Sequence, residues 1–378
     1  MSDEANKFHD KLAVMKSVEE KKIEIQAKKN IVDEKRYDSQ IERMTQAERS
    51  LEIARNTNFG ALNEDHRNKL KKDLKEYVEA AKEGMVFISP IFNGMVPFCR
   101  KNLIVIGART GGGKSTAVAN IVFETIRQKS KITGKRKKVL VITNEEKAED
   151  FYSRIISLAR GYHYVNHDKF TEEMTNDFEA GIDGLAKDGT VVVVDDTFNG
   201  ASGLTKSVEG IKTIFENLLR DGIYYDAVIL DYYQNVTSST SDSTLNQYQV
   251  QEKLTHLLDW AKNEYPAPIV VMAQAKPNDK DQSIPFEFRV KGAKLIVDKA
   301  TLAMEMIPNK GDLCTDWVVH KSRFTEAVGE GFVTGYENGR FVKYDEQFIT
   351  KVAKIKEKRK EKEVMSGVFT EKDKKKDE

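Results

Sequence analysis

The stretch Asn102–Ala119, NLIVIGARTGGGKSTAVA, constrains the fold of this 378-residue chain more than any other stretch. The apolar run at its start is typical of a buried strand, and the apolar periodicity at its end predicts a helix. Between them, three successive glycines allow backbone N–H groups to approach a phosphate closely, because no Cβ stands in the way. The order strand, glycine loop, Lys-Ser and helix is that of a phosphate-binding P-loop, and it predicts a nucleotide-binding α/β domain.

The residues of this loop have predicted roles in binding ATP. Lys114 can reach the β- and γ-phosphates, and the Ser115 hydroxyl can ligate Mg²⁺. The strict motif has glycine six residues before the lysine, where this chain has Ala108. A glycine-rich turn that precedes a helix by chance is the alternative. The predicted ATP-binding residues are Ala108, Arg109, Thr110, Gly111, Gly112, Gly113, Lys114, Ser115 and Thr116.

The charge balance, the cysteine count and the length of the apolar runs limit the classes of protein to which the chain can belong. The chain has 61 Lys and Arg against 60 Asp and Glu, so any basic surface for nucleic acid must be local. Two cysteines, Cys99 and Cys314, lie far apart in sequence, which argues against a disulfide framework or a zinc site and suits a reducing cytosol. No apolar run has the length of a membrane span, and the N-terminus lacks the apolar core of a signal peptide. We therefore expect a cytoplasmic protein with no membrane partner.

Composition also divides the chain into three predicted regions. Residues 1–85 are dense in Lys and Glu with a thin apolar stripe at helical spacing, which predicts a charged helical region that docks on a partner or a neighbouring subunit. A solvated, partly frayed helix is the alternative. One helix of this region is predicted over Asn63–Ala81. Residues 86–348 are the predicted ATPase domain, and residues 349–378 are a predicted charged tail, which is disordered or, as the alternative, a frayed helix.

Apolar runs and helical patterns alternate along the predicted ATPase domain. This alternation predicts a central parallel sheet with helices on both faces. Asp279–Lys294 has no clean period and is predicted to be a loop. The predicted strands are Leu103–Ile106, Val139–Thr143, Thr190–Val194, Ala227–Leu230, Ile269–Ala273 and Trp317–His320, and the predicted helices include Lys147–Gly161, Val208–Asp221 and Tyr248–Asn263.

Acidic side chains follow the predicted strands. Asp231 ends the run AVILD, where a carboxylate beside the P-loop strand would lie near a bound Mg²⁺. The rival acids are Asp195 and Asp196, after TVVVV. Glu145, at the end of VLVITNE, is the predicted general base for attack of water on the γ-phosphate, and Glu146 is the alternative base. Both glutamates could instead stabilise the N-terminus of the next helix.

Polar residues at two later strands could also act on the nucleotide. Gln274 ends the run IVVMAQ, where it could sense the γ-phosphate or simply cap the strand. Lys321 and Arg323 alternate along a strand and therefore point the same way. Two cations on one face suit the phosphate of a nucleotide on a neighbouring subunit, as an arginine finger does. A solvated edge strand is the alternative, and spacing alone favours it.

Five stretches, in this order and spacing, resemble the ring-forming replicative helicases of the DnaB type, which have a RecA-like ATPase fold. The stretches are GARTGGGKST, VLVITNEEKAEDFYSRIISLA, AVILDYYQNV, IVVMAQAK and VHKSRF. The resemblance implies that Lys114 and Ser115 hold ATP and Mg²⁺, with Asp231 as the carboxylate associated with Mg²⁺. It also implies a catalytic base, a γ-phosphate sensor and cations that act in trans, which are here Glu145, Gln274, and the pair Lys321 and Arg323.

The resemblance also places single-stranded DNA along two loops that face the channel of a ring. These loops are Thr237–Asn246 and Lys276–Lys294, and the second carries cations that could follow a phosphate backbone without reading sequence. An ordinary charged loop is the alternative. The predicted DNA-binding residues are Lys276, Lys280, Arg289, Lys291 and Lys294.

The chain departs from the family pattern in three places. Where the family has Ala-Asp before a late strand, this chain has Lys299 and Ala300. Residues 1–85 look too charged and too linear for the globular N-terminal domain through which the family binds primase. The family's Leu-Glu-Met after the second strand is replaced by Asn144, Glu145 and Glu146, which leaves the choice of base open.

These observations predict an ATP-driven helicase that moves on single-stranded DNA as a ring, most simply a homohexamer. Primase or a helicase loader are the further partners that the resemblance implies. The small size and unusual N-terminus would suit a phage-type replisome. One alternative is a RecA-, RadA- or KaiC-like ATPase in recombination or regulation, which would not displace a strand. Another is an assembly scaffold whose ATPase controls a partner on the N-terminal helices, which would hydrolyse ATP independently of DNA.

Overall fold

The computed structural model describes residues 48–49, 51–52, 63–83, 101–131, 133–162, 171–200, 203–237, 246–276, 284–290, 294–323 and 328–358. The chain divides into two units, Met1–Asp73 and Leu74–Glu378. Among the helices that are described, none combines the length and the apolar character that crossing a membrane requires.

Helix α1, Glu64–Glu83, contains the boundary between the two units. It agrees with the helix predicted over Asn63–Ala81 to within two residues at its C-terminus. The Asn63 side chain accepts a 2.8 Å hydrogen bond from the His66 backbone N–H, which caps the helix. Leu70, Leu74 and Val78 recur every four residues and are all exposed. This helix therefore carries an exposed apolar stripe.

A single sheet forms the centre of the second unit. Within the described residues its nine strands lie in the order β3-β2-β4-β5-β1-β6-β7-β8-β9. Pairing is parallel from β3 to β6 and antiparallel from β6 to β9. The strands are β1 Leu103–Ala108, β2 Val139–Thr143, β3 Val191–Val194, β4 Ala227–Asp231, β5 Ile269–Gln274, β6 Leu302–Asn309, β7 Cys314–Ser322, β8 Gly331–Glu337 and β9 Arg340–Lys343.

Helices cover both faces of this sheet, as the sequence predicts. Side chains alternate along β1, so that Ile104 and Ile106 join one apolar cluster and Leu103 and Val105 join the other. Helices α2 to α4 pack on the first face, and α5, α6 and α8 pack on the second. The helices are α2 Lys114–Ile126, α3 Ala148–Arg160, α4 Glu172–Ala186, α5 Val208–Arg220, α6 Gln247–Glu264, α7 Phe286–Arg289, α8 Lys294–Lys299 and α9 over residues 346–358.

The parallel half of the sheet confirms the predicted strands, with small shifts at their ends. β4 and β5 each extend one residue further, to Asp231 and Gln274, so both of these site residues belong to strands. The predicted loop Asp279–Lys294 is corrected in its described part, because it contains the short helix α7 and the first residue of α8. The sequence did not predict α4, β6, β8 or β9.

The C-terminal boundary of the predicted domain also needs correction. Helix α9 runs through residue 348, where we expected the ATPase domain to end, and continues to residue 358. Phe348 and Val352 of this helix are buried. The Phe348 ring lies where a side chain on Gly335 would stand, since an added Cβ would come within 2.7 Å of it. The first ten residues of the predicted tail are therefore helical, and Val352 packs into the domain.

Candidate active site

The predicted site residues lie at one edge of the sheet because their strands are parallel and in register. Thr143 at the end of β2 is opposite Asp231 at the end of β4, and Ala108 at the end of β1 is opposite Gln274 at the end of β5. The carboxyl ends of these four strands therefore meet. Open α/β sheets bind their ligands in the crevice at this edge.

The loop between β1 and α2 requires its glycines. Gly111 and Gly113 have φ values of 67° and 83°, a left-handed conformation that other residues adopt only with strain. A Cβ on Gly112 would lie 2.7 Å from the Arg109 carbonyl oxygen. Ala108, by contrast, still belongs to β1 and is buried, so the departure from the strict motif falls within a strand. Helix α2 begins directly at Lys114, and its N-terminus faces the loop.

Asp231 is the most strongly perturbed acid of the site. Its side chain is fully buried, and neither carboxylate oxygen has a partner with hydrogen-bond geometry among the described residues. Burial, followed by the negative charge of Glu146, raises the pKa of Asp231 to about 7, although the Ser115 hydroxyl and Lys114 oppose this shift.

A buried, unpaired carboxylate is costly unless a cation neutralises it. Mg²⁺ is held in nucleotide sites by one or two carboxylates together with phosphate oxygens. The fully buried Asp231, with the Ser115 hydroxyl beside it, fits such an ion.

The two adjacent glutamates differ in their surroundings. Glu145 is exposed, whereas Glu146 is half-buried and forms a 2.7 Å ion pair with Arg154 through Oε1. Burial raises the pKa of Glu146, while Arg154 opposes the shift. The Thr143 hydroxyl accepts a 3.2 Å hydrogen bond from the Glu146 backbone N–H, which orders the turn after β2. Glu145 is therefore the carboxylate with direct access to water, and Glu146 is the one that a cation holds in place.

The rival acids, Asp195 and Asp196, lie away from the P-loop. They follow β3, which is an edge strand four positions from β1. Asp195 accepts a 3.0 Å hydrogen bond from the Ala148 backbone N–H at the start of α3, and Asp196 forms an ion pair with Lys206. Both acids therefore have local structural partners, and their position supports the choice of Asp231 over them.

Two side-chain amides that we did not predict connect the ends of neighbouring strands. Asn144 accepts a 3.1 Å hydrogen bond from the Tyr232 N–H and donates a 3.0 Å bond to the Tyr232 carbonyl. Gln234 pairs in the same two-point manner with the backbone of Gln274, at 2.8 and 3.2 Å. Gln274 in turn donates to the Thr110 hydroxyl. These contacts join β2 to β4, β4 to β5, and β5 to the P-loop.

The two predicted trans-acting cations lie together at the C-terminal end of α8. Lys321 Nζ donates to the carbonyls of Val297 and Asp298, at 2.7 and 2.6 Å, and Arg323 Nη2 donates to the Asp298 carbonyl at 3.0 Å. Burial, followed by the charge of Arg323, lowers the pKa of Lys321. Carbonyls at the end of a helix are good partners for cations, because they carry the negative end of its dipole.

Of the predicted DNA-binding cations that the structure describes, two are exposed and one is buried. Lys276 is exposed, and Lys294 is exposed with its Nζ 4.6 Å from the Phe288 ring centroid. Arg289 is only 4% exposed, and its two Nη atoms lie 2.5 Å from the two carboxylate oxygens of Glu305. The prediction that Arg289 contacts DNA is therefore corrected, since its guanidinium is occupied inside the protein.

The remaining predicted DNA residues are only partly described. Lys280 and Lys291 lie outside the described residues. Of the loop Thr237–Asn246, only the two end residues are described, and Asn246 caps α6 through a hydrogen bond from the Gln249 backbone.

A cavity of about 420 Å³ opens beside the P-loop. Its size is in the range of small-molecule sites. On the far side it is closed by the turn between β6 and β7 and by two aromatic rings of the β8–β9 hairpin, Tyr336 and Phe341, whose centroids are 5.9 Å apart. The sequence did not predict these residues, because β8 and β9 were not recognised. A planar nucleobase would fit this cavity when its phosphates lie on the P-loop.

Two solved structures resemble this fold. One is described as an ATPase domain, with a TM-score of 0.56 and 15% sequence identity, over 76% of this chain and 100% of that one. The other is a DnaB-like replicative helicase described with its interactions with primase, with a TM-score of 0.54 and 13% identity, over 79% of this chain and 71% of that one. At such identities the likeness shows the fold. No curated protein sequence matches the chain.

The comparison with family models identifies the family of the chain as well as its fold. The model of the DnaB-like helicase C-terminal domain matches residues 84–285, which is just over half of the 378 residues. This segment contains the P-loop and the strand ends that carry Glu145, Asp231 and Gln274. The chain therefore belongs to the family of DnaB-like helicases, and it is an ATP-dependent DNA helicase of the replicative type.

Proposed function

We propose that this helicase hydrolyses ATP at the carboxyl edge of the parallel sheet, between subunits of a ring that moves along single-stranded DNA. The single observation that carries the proposal is the burial of Asp231, whose carboxylate lacks a hydrogen-bond partner in the described structure and lies next to Ser115. A site built in this way is complete only when a cation and its phosphate ligands are present.

The P-loop binds the phosphates of ATP in this proposal. Its backbone N–H groups and Lys114 hold the β- and γ-phosphates, and Ser115 and Asp231 hold Mg²⁺. The ion would neutralise the phosphates and polarise the bond that breaks. The nucleobase fills the cavity between the P-loop and the β8–β9 hairpin, against Tyr336 and Phe341.

Glu145 is the proposed general base. Its exposed carboxylate, in the turn directly after β2, can accept a proton from the water that attacks the γ-phosphate. Glu146 is less suited to this role, because Arg154 holds one of its oxygens. Gln274, which touches the P-loop residue Thr110, is placed to sense whether the γ-phosphate is present.

The neighbouring subunit completes the site. Lys321 lies on β7 and Arg323 directly after it, and we propose that they reach the γ-phosphate bound to the adjacent subunit. Such an arrangement requires head-to-tail contacts between subunits, and we propose that these close into a ring, most simply of six identical subunits. The exposed stripe of α1, at Leu70, Leu74 and Val78, would dock on a neighbouring subunit or a partner.

DNA would follow the two loops after β4 and β5, where Lys276 and Lys294 offer exposed cations. Primase is a candidate partner, since a structurally similar DnaB-like helicase is described with its interactions with primase. A helicase loader is a second candidate.

Strand displacement on a forked duplex tests this function directly. We expect the protein to release the labelled strand only with ATP and Mg²⁺, and the variant Lys114→Ala to release none, because it lacks the P-loop cation. DNA-stimulated ATP hydrolysis without release of a strand from any fork would contradict unwinding. It would instead favour a RecA- or KaiC-like ATPase.

A further inference from the structure

Helix α7, which lies within the second predicted DNA loop, is tied to β6 and β7 by a buried cluster. Glu305, in the middle of β6, is 8% exposed and accepts both Nη atoms of Arg289 at 2.5 Å. Its Oε2 also lies 3.0 Å from His320 Nε2 on β7. Burial acts to raise the pKa of Glu305, but the hydrogen bonds from Arg289 and His320 prevail and lower it. We call these three residues the Glu305 cluster.

Aromatic packing fixes the Glu305 cluster from one side. The Phe286 ring stacks on His320, with centroids 4.5 Å apart and an angle of 5° between the planes. The Arg289 guanidinium carbon lies 5.6 Å from the same ring centroid. Gly107 leaves room for Phe286, since a Cβ there would lie 2.5 Å from the ring. Helix α7 therefore has one defined position against β1, β6 and β7.

The same strand carries the two trans-acting cations. His320 directly precedes Lys321, and Arg323 follows two residues later. A second connection runs through α8, whose final carbonyls accept hydrogen bonds from Lys321 and Arg323. The predicted DNA loop thus contains α7 and leads into α8, and both of these helices contact β7.

We propose that Glu305 is a positioning residue through which the second DNA loop sets the place of Lys321 and Arg323. The proposal rests on the proposed trans role of these cations. DNA bound at the loop holds α7, α7 holds Glu305 through Arg289, and Glu305 holds β7 through His320. Because Glu305 does not touch the nucleotide, its removal affects how strongly DNA accelerates hydrolysis rather than how well ATP binds.

The variant Glu305→Gln tests this link, because the amide keeps the shape of the side chain but removes its charge. ATP hydrolysis is measured over a range of ATP concentrations, with and without oligo(dT). We expect an unchanged KM for ATP, near-normal hydrolysis without DNA, and an acceleration by oligo(dT) that falls by about 2- to 30-fold, the range typical of coupling residues. Phe286→Leu, which removes the stacked ring but stays apolar, is expected to act in the same direction.

Two controls make the outcome decisive. Glu216→Gln removes an exposed acid that pairs with Lys212 on α5, far in sequence from both loops, and it is expected to change nothing. The emission of the two tryptophans, Trp260 and the buried Trp317, reports whether each variant is folded. A variant that does not fold is replaced by Phe286→Leu, which keeps the buried ion pair.

The variant Arg323→Ala tests the proposed trans role of the cations separately from the proposed role of Glu305. If Arg323→Ala hydrolyses ATP normally, the proposed trans role fails. If Arg323→Ala is impaired but folded Glu305→Gln and Phe286→Leu keep full acceleration by DNA, the Glu305 link is wrong and the proposed function stands. A rise in KM, or an equal loss with and without DNA, would show a general structural role and would also overturn the link.

Discussion

At the scale of single residues, the site combines a buried acid that has no hydrogen-bond partner among the described residues with an exposed acid nearby. Asp231 is fully buried at the end of β4, whereas Glu145 is exposed, two residues after the end of β2. Strands β2 and β4 pair directly, so both carboxylates lie at the same edge of the sheet, but they differ in their exposure to solvent. This difference divides the proposed roles, because a buried carboxylate suits a metal ion and an exposed one suits a proton from water.

The burial of Asp231 predicts a cost in stability when no nucleotide is bound. Folding raises the pKa of Asp231 from 3.8 to about 7. The contribution of Asp231 to the free energy of unfolding is therefore largest below pH 4 and is lost as the pH rises through 7. At pH 8 Asp231→Asn should stabilise the nucleotide-free protein, by at most about 4 kcal/mol for a shift of this size. Urea unfolding at pH 4 and pH 8 measures this. A variant that is less stable than the parent protein at pH 8 would contradict this account of Asp231.

The two glutamates are distinguished by turnover. Glu145→Gln should bind ATP normally and hydrolyse it roughly 100-fold more slowly, the lower end of the effect of a positioned base. Glu146→Gln keeps an oxygen for Arg154 and should lose much less. Steady-state hydrolysis, with binding followed by a fluorescent ATP analogue, compares them. Near-normal turnover in Glu145→Gln together with loss in Glu146→Gln would transfer the role to Glu146.

Sequence reasoning reached some of these residues and not others, for a physical reason. The P-loop, Glu145 and Asp231 were predictable because each follows its own apolar strand. Asn144 and Gln234 were not, because each pairs with backbone far away in sequence, at Tyr232 and Gln274. The burial of Arg289 could not be predicted either, because its partner Glu305 belongs to β6, a strand that the sequence did not predict.

At the scale of elements, strands β1 to β5 could be predicted from the sequence, whereas β6, β8 and β9 could not. The parallel strands are buried on both faces, so they form continuous apolar runs such as VVVV in β3. The sequence of β6 is LAMEMIPN, in which Glu305 and Pro308 interrupt the run. Glu305 is nevertheless buried, because Arg289 neutralises its charge and His320 lies within hydrogen-bond distance of its Oε2. Strand β9 has only four residues, too few for a pattern.

Close packing between β1 and α7 gives a prediction at this scale. Gly107→Ala would bring a Cβ within 2.5 Å of the Phe286 ring and displace α7. Overpacking of this kind destabilises by about 1–3 kcal/mol. Gly184→Ala is the matched control, because nothing lies within 4 Å of its added Cβ in α4. Thermal unfolding should show a lower Tm only for Gly107→Ala, and equal Tm values would contradict the close packing of Phe286.

The exposed lysines beside the second loop give a further prediction. Lys276→Gln with Lys294→Gln should weaken binding of single-stranded DNA equally for all sequences. The slope of log K against log salt should fall by about 0.7 for each phosphate that the protein no longer neutralises. Lys212→Gln, on α5, is the control. Titration at several salt concentrations measures the slope, and an unchanged slope would place the DNA on other residues, with the loop Thr237–Asn246 as the next candidate.

At the scale of the whole molecule, one subunit carries both proposed parts of the active site, at two different places in the fold. The P-loop, Asp231 and Glu145 lie at the carboxyl edge of the parallel strands, and Lys321 and Arg323 lie at the end of α8. Family membership establishes an ATP-dependent helicase. The central claim of the account is that a subunit's nucleotide is hydrolysed with the help of its neighbour's Arg323.

Mixed rings test this claim most directly. Arg323→Ala subunits have an intact P-loop, and alone they should hydrolyse ATP about 10³-fold more slowly than the parent protein, the effect expected for a missing arginine finger. Lys114→Ala subunits cannot bind ATP but keep Arg323. When the two are mixed and allowed to exchange subunits, hydrolysis should recover and reach a maximum at intermediate ratios, because a working P-loop then meets a working Arg323. Rings that demonstrably exchange subunits yet stay inactive at every ratio would contradict the account.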